Sequence, residues 1–193
     1  MFSLLNSHEK QIFTGNILLI VCCAFYLAWW LLAFKPSHPI TGFKTGWLLI
    51  PAGIAGLCAV IQALRGILAK TPSHGLFPGM AVLWGGIILY VILLAITVFL
   101  LKRAATTELI LIVGWGMLAW AEINALFGFG LFPRGRSIGF IIVMSAAVIL
   151  ALICYVLYYH LGKRAGYIDG VIPLILAALT TAGISIGMLI PSR

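Results

Sequence analysis

One acidic residue stands where a charge is costly. Glu122 lies in the segment LAWAEINALFGFG, well along an apolar run, and no other charged residue occurs between Glu108 and Arg134. A carboxylate at such a depth in a membrane helix usually faces the bundle interior or a water-filled cavity. Its chemistry would be to titrate a proton or to coordinate a solute. The opposing reading is a carboxyl group that is neutral or paired and only locks helices together. At helical spacing the face of Glu122 includes Trp115, Leu118, Ala119, Leu126 and Phe129.

Arg65 is the natural counter-charge. It falls in the last turns of the second apolar segment, which ends on the same side as the segment bearing Glu122. The offset along the axis is about 7.5 Å at 1.5 Å per residue. A guanidinium can bridge most of that distance or snorkel outward to lipid phosphates, and snorkelling is the simpler expectation. Cys58, Gln62 and Arg65 share one helical face at i, i+4 and i+7. Asn124 matches Glu122 in depth but points well away around the helix. The candidate substrate-binding or proton-coupling set is therefore Glu122, Arg65, Gln62, Asn124 and Trp115. Buried amides also hydrogen-bond between membrane helices for packing alone. Thr180, Thr181 and Ser185 place hydroxyls mid-way along the last segment, where bonding back to their own helix is the simpler reading.

Metal, haem and standard catalytic chemistry find no support. There is no HExxH, GxSxG or Walker A pattern, and no catalytic residue, metal or cofactor is expected. None of the histidines His8, His38, His74 and His160 lies deep in a span. Cys22, Cys23, Cys58 and Cys154 contain no CxxC and read as small, reduced core residues. Glu9, Glu108 and Asp169 read as charges at or outside helix starts, where they suit the helix dipole.

The elements that hold these residues follow from hydropathy. The chain has 193 residues, 63% hydrophobic and 8% charged, far from the roughly 45–50% apolar and 25% charged of soluble domains. No charge occurs between Lys10 and Lys35, Lys44 and Arg65, Lys70 and Lys102, Arg136 and Lys163, or Asp169 and Arg193. A helix needs about 20 apolar residues to cross the hydrocarbon core. These five runs and the one holding Glu122 predict an all-α, polytopic integral membrane protein of six transmembrane helices. The expected spans are about 14–34, 45–69, 79–101, 107–131, 137–160 and 169–190, in a single domain. The run from Asn16 to Phe34 is too long for a cleaved signal and is expected to stay as the first helix. The loops are too short for an extramembrane domain.

An internal repeat is also suggested. GLFP occurs at Gly75–Pro78 and at Gly130–Pro133, each before an apolar helix. Setting Leu49–Gly66 on Leu111–Gly128 gives seven identities and places Gln62 on Asn124. A third unit is weaker, and composition bias inflates such matches. The expectation is three tandem helical hairpins, near 1–70, 71–128 and 129–193.

The net charge of +8 comes from basic residues flanking apolar runs, where they meet lipid phosphates, so nucleic acid is not expected as a partner. Six basic residues fall on each side, which leaves orientation unassigned. Trp29, Trp30, Trp47, Tyr158, Tyr159 and Tyr167 lie near helix ends, as an interfacial belt requires. Glycines such as Gly183 and Gly187 form a GxxxG suited to close helix contact. The functional expectation is a small transporter or channel-like protein of the plasma (inner) membrane with Glu122 at its solute or proton site. Its expected partners are lipids, a small-molecule solute, and a second copy or another membrane protein. The alternatives are an accessory subunit of a larger membrane complex and, further off, an intramembrane enzyme acting on a lipid.

Overall fold

A computed structural model of the chain describes residues 5–34, 46–69, 75–100, 102, 107–158 and 160–190. His38, His74, Tyr159, Lys35, Lys44, Lys70, Arg103 and Arg193, which enter the readings above, lie outside these residues. All the regular structure described is helical: α1 (Ser7–Ala33), α2 (Leu49–Leu68), α3 (Gly79–Ala95), α4 (Thr107–Gly128), α5 (Arg134–Leu157), α6 (Lys163–Asp169) and α7 (Val171–Leu189). A wider π-type stretch, Ile96–Leu100, prolongs α3. The short α6 leads through Gly170 into α7, and together they form one apolar span, so six spans are long and apolar enough to cross a membrane. The chain is an integral membrane protein. Its outer surface agrees: Leu68 and Phe99 are 75% and 79% exposed, a state that lipid tails accommodate and water would not.

α1 begins before its apolar run does. The Asn6 backbone N–H donates to Glu9 Oε2 at 2.7 Å, and Asn6 Nδ2 donates to Glu9 Oε1 at 3.3 Å. An Asn followed three residues later by Glu is a helix-start signature. It carries the helix over the polar residues that precede the hydrophobic segment. Glu9 is accordingly buried rather than outside the fold.

Small residues set the first hairpin. Ala52, Ala55, Ala59, Ala63 and Gly66 form the buried line of α2 and face α1. A Cβ on Gly15 would lie 2.9 Å from both the Ala59 carbonyl oxygen and the Ala63 nitrogen, so the two backbones touch there. Lipid gives apolar helices little reason to associate, and close van der Waals contact of this kind supplies it. The GxxxG of α7 is used differently. A Cβ on Gly187 would meet the Phe140 ring at 3.0 Å, so that glycine seats an aromatic ring and not a neighbouring backbone.

Each sequential pair packs together: α1 with α2, α3 with α4, and α5 with α7. Contacts of α4 with α5 and of α1 with α7 join the pairs. α4 also touches α2 and α7 and has the highest buried fraction of the six spans. At the face shared by the start of α5 and the end of α7, Arg136 Nη1 donates to the carbonyls of Gly187 (3.3 Å) and Ile190 (3.0 Å). A guanidinium on terminal carbonyls satisfies groups the helix itself leaves open.

Candidate functional site

Two acidic regions result, one in each half of the bundle. The first surrounds Glu122, which is 2% exposed on α4. Its hydrogen-bonding neighbour is the side-chain amide of Asn16 on α1, itself 1% exposed. Neither amide atom of Asn16 reaches full hydrogen-bond geometry. A carboxyl group with one imperfect amide neighbour is poorly compensated for burial. In the sequence Asn16 marked only the start of an apolar run, although an amide inside that run was a usable signal.

The other residues singled out in the sequence separate from Glu122. Asn124 is buried and clamps the first GLFP segment. Its Oδ1 accepts from the backbone N–H groups of Leu76 (2.8 Å) and Phe77 (3.3 Å), and its Nδ2 donates to the Phe77 carbonyl at 3.1 Å. Arg65 is exposed and Gln62 half-buried. Among the described residues the one basic side chain within 4 Å of a carboxylate is His8, whose Nε2 lies 3.9 Å from Glu9 Oε1, so Arg65 does not bridge to Glu122. Trp115 is buried, and its indole Nε1–H meets no acceptor among the described residues. The hydroxyls of Thr180 and Ser185 bond back to Leu176 and Thr181 of their own helix.

The second region is a cavity of about 180 Å³ at the opposite face. Four stretches meet there: the end of α1, the start of α4, the end of α5 and the α6–α7 junction. Tyr26, Trp29, Trp30 and Phe34 supply rings from α1 and its end, Tyr155 and Tyr158 from α5 and its end, and Glu108 and Asp169 supply carboxylates. Trp30 is held on two sides. Its Nε1–H donates to the Tyr167 carbonyl at 3.1 Å, and Tyr167 Oη–H donates to the Leu31 carbonyl at 3.1 Å. The ring also lies on Gly170, where any Cβ would collide with it. It stacks on Phe34 at 4.4 Å and meets Tyr158 edge-on at 5.7 Å.

That geometry corrects two expectations. Trp30 is 7% exposed, so it is a cavity wall and not a belt residue. Asp169 is also 7% exposed, so the carboxylate beside the start of α7 is buried and not outside the fold. The Cys154 thiol is its hydrogen-bonding neighbour, while its Oδ2 has no partner among the described residues. The missed signal was positional. Two of the four acids share one face with most of the tryptophan and tyrosine residues at helix ends.

One helix runs between the two regions. Glu108, Ile112, Trp115, Ala119 and Glu122 follow at steps of four, three, four and three along α4, which keeps them on one face. Glu108 and Ile112 line the cavity, and Glu122 lies about 21 Å further along the axis at 1.5 Å per residue. Among the described residues, no three His, Cys, Asp or Glu side chains gather closely enough to hold a metal ion.

Comparison with known proteins adds one local similarity. A stretch of 58 residues is 38% identical to the undecaprenyl-diphosphatase of Solidesulfovibrio magneticus, covering 28% of this chain and 22% of that enzyme. The match thus spans under a quarter of the enzyme's length. No protein-family profile matches the chain, and no solved structure does.

Proposed function

We propose that the protein is a small transporter of the plasma (inner) membrane, with Glu122 as its titratable group and the Glu108–Asp169 cavity as the place where solute first binds. The observation that carries this reading is the stripe on α4. One face of the most buried helix holds a cavity carboxylate, an indole N–H without an acceptor among the described residues, a small alanine and a carboxyl group in the opposite half. An ionised Glu122 with Asn16 as its one polar neighbour among the described residues would be costly, so a proton or a cationic solute would have to accompany the charge. Ala119, between Trp115 and Glu122, leaves the least side chain to displace. Asn124 belongs to this reading as a positioning residue through its loop clamp. Gln62 and Arg65 lie on a neighbouring helix, with no solute contact assigned to them.

Proton flux tests the reading without knowledge of the solute. Proteoliposomes enclosing a pH-sensitive dye should acidify after an external acid jump, and Glu122→Gln should reduce the rate to that of empty vesicles. If Glu122→Gln proteoliposomes follow the parent across pH 5–8, the transporter reading is wrong. Trp115→Phe should slow the flux by severalfold, since it removes the only polar group of the stripe between Glu108 and Glu122.

The similarity to undecaprenyl-diphosphatase supports a second reading, an intramembrane enzyme acting on an isoprenoid lipid phosphate. The cavity argues against it. Its described lining offers two carboxylates and no lysine or arginine, whereas a diphosphate is recognised through cationic groups or a metal ion. Phosphate release from undecaprenyl diphosphate by the purified protein would replace the transporter reading with this one.

A further inference from the structure

We propose that the cavity at the α6–α7 junction is a binding site for an organic monocation, an alkylated ammonium group of modest size. Asp169 states the requirement. Its carboxylate is more than nine-tenths buried and lines the cavity, and Oδ2 faces no partner among the described residues. A buried carboxylate oxygen left in this state calls for a positive ligand. Glu108 on the adjoining wall adds a second negative group.

The walls select among cations. Tyr26 and Trp29 lie edge to face at 5.3 Å, and Trp29 meets Phe34 at 5.4 Å. With Trp30 and Tyr158 they make a nearly continuous aromatic lining. Ring faces attract cations through their quadrupole, and clusters of rings are the usual receptors for quaternary ammonium groups. A calcium or magnesium ion would need six or more oxygen ligands, or would keep its own waters, and aromatic walls replace neither. An alkylated ammonium is weakly hydrated and has apolar substituents that the rings can cover. The space of about 180 Å³ suits a headgroup and not a large amphiphile.

The wall is also built to keep its shape. Trp30 is fixed by its bond to Tyr167, by the return bond from Tyr167 to Leu31, and by its seat on Gly170. Such support lowers the ordering cost of binding. This assignment names the solute class of the transporter reading, and it rests on that reading only for the movement of the ligand.

Calorimetric titration of the purified chain in phosphatidylglycerol nanodiscs with tetraethylammonium chloride tests binding directly. The expected result is saturable heat that sodium chloride at equal concentration does not reproduce. Asp169→Asn should weaken binding about thirtyfold or more, and Glu108→Gln about threefold. Glu9→Gln, which removes a carboxylate at the other face, should leave the affinity unchanged. Leu174→Trp fills the cavity while keeping both charges, and should abolish binding even if Asp169→Asn does not fold. Absence of saturable heat, equal heats with sodium, or parent-like affinity in Leu174→Trp would each overturn the assignment. The same ammonium chemistry occurs free and as a lipid headgroup. Comparison of phosphatidylcholine with phosphatidylethanolamine nanodiscs, both without net surface charge, separates the two: a weaker apparent affinity in phosphatidylcholine assigns the headgroup, and equal affinities a soluble cation. Binding that persists while Glu122→Gln proton flux matches the parent would sink the transporter reading and leave this one standing.

Discussion

The two acidic regions differ in how their space is filled. Around Glu122 the described helices pack closely: the carboxylate is buried, and so are Ile123, Leu126 and Ile12. Around Asp169 the same bundle leaves a hollow, even though the carboxylate is comparably buried. Residue size at the helix contacts accounts for the contrast. In the Glu122 half, the Ala and Gly line of α2 lets α1 approach until backbones touch. In the Asp169 half, bulky rings from α1 and α5 keep the helix ends apart and cannot fill the gap between them. Small residues let the helices touch, and rigid aromatic residues hold them apart.

Gly170 gives the sharpest way to break this contrast. Gly170→Leu would drive a side chain into the Trp30 ring. Overpacking costs about 1–3 kcal/mol, occasionally more, and here it should displace the wall that shapes the hollow. The expected outcome is loss of tetraethylammonium binding with a shift in tryptophan emission, while Glu122-dependent proton flux falls less. A variant that keeps parent affinity would show that Trp30 does not shape the site.

Asn124 tests the closed half. Asn124→Ala strands the Leu76 and Phe77 N–H groups and the Phe77 carbonyl together. An orphaned buried polar group costs about 1–3 kcal/mol, and the loss here should fall at the low end because Leu76 and Phe77 are half-buried. The thermal midpoint in detergent should fall clearly, and proteolysis near 75–78 should accelerate. An unchanged midpoint together with an unchanged cleavage rate would mean that the clamp contributes nothing.

These two sites also show how much the sequence disclosed. Six spans were legible because the transfer of apolar residues to lipid dominates every other contribution. Glu122 was legible because depth in a span can be counted. The partner of Glu122 was not, because Arg65 and Asn16 both lie on other helices and only their packing decides which one reaches it. The cavity was less legible still. Glu108, Cys154 and Asp169 come from three separated stretches, and each read locally as a cap or core residue. What brings them together is the adjacency of α1, α4, α5 and α7, a property of no single segment. The helix start at Ser7 was readable from Asn6 and Glu9, but hydropathy alone conceals a cap in polar residues.

The latch on Trp30 predicts a smaller effect that sharpens the comparison. Trp30→Phe keeps an aromatic wall and removes the Nε1–H bond to Tyr167. The net loss should be about 1 kcal/mol in stability. Affinity for tetraethylammonium should drop by severalfold, because a looser wall costs ordering on binding. Tyr167→Phe removes the return bond to Leu31 and should act in the same direction without touching the cavity. If Tyr167→Phe alters nothing while Trp30→Phe does, the indole acts through its face and not through the latch.

The smallest effect is expected at Arg65, and it bears on the Glu122 half alone. Arg65 is exposed at the end of α2 and makes no ion pair with Glu122. An exposed charge near lipid headgroups contributes about 0–1 kcal/mol, so Arg65→Gln should leave both the thermal midpoint and the pH dependence of proton flux close to the parent. The comparison that matters is with Asn16→Leu, which removes the amide beside Glu122 and puts a hydrocarbon in its place. The buried carboxyl loses its amide neighbour in that variant, so proton flux should change in Asn16→Leu and not in Arg65→Gln. A change in Arg65→Gln and none in Asn16→Leu would reverse the roles given to the two residues. It would place the guanidinium within electrostatic reach of the buried carboxyl after all.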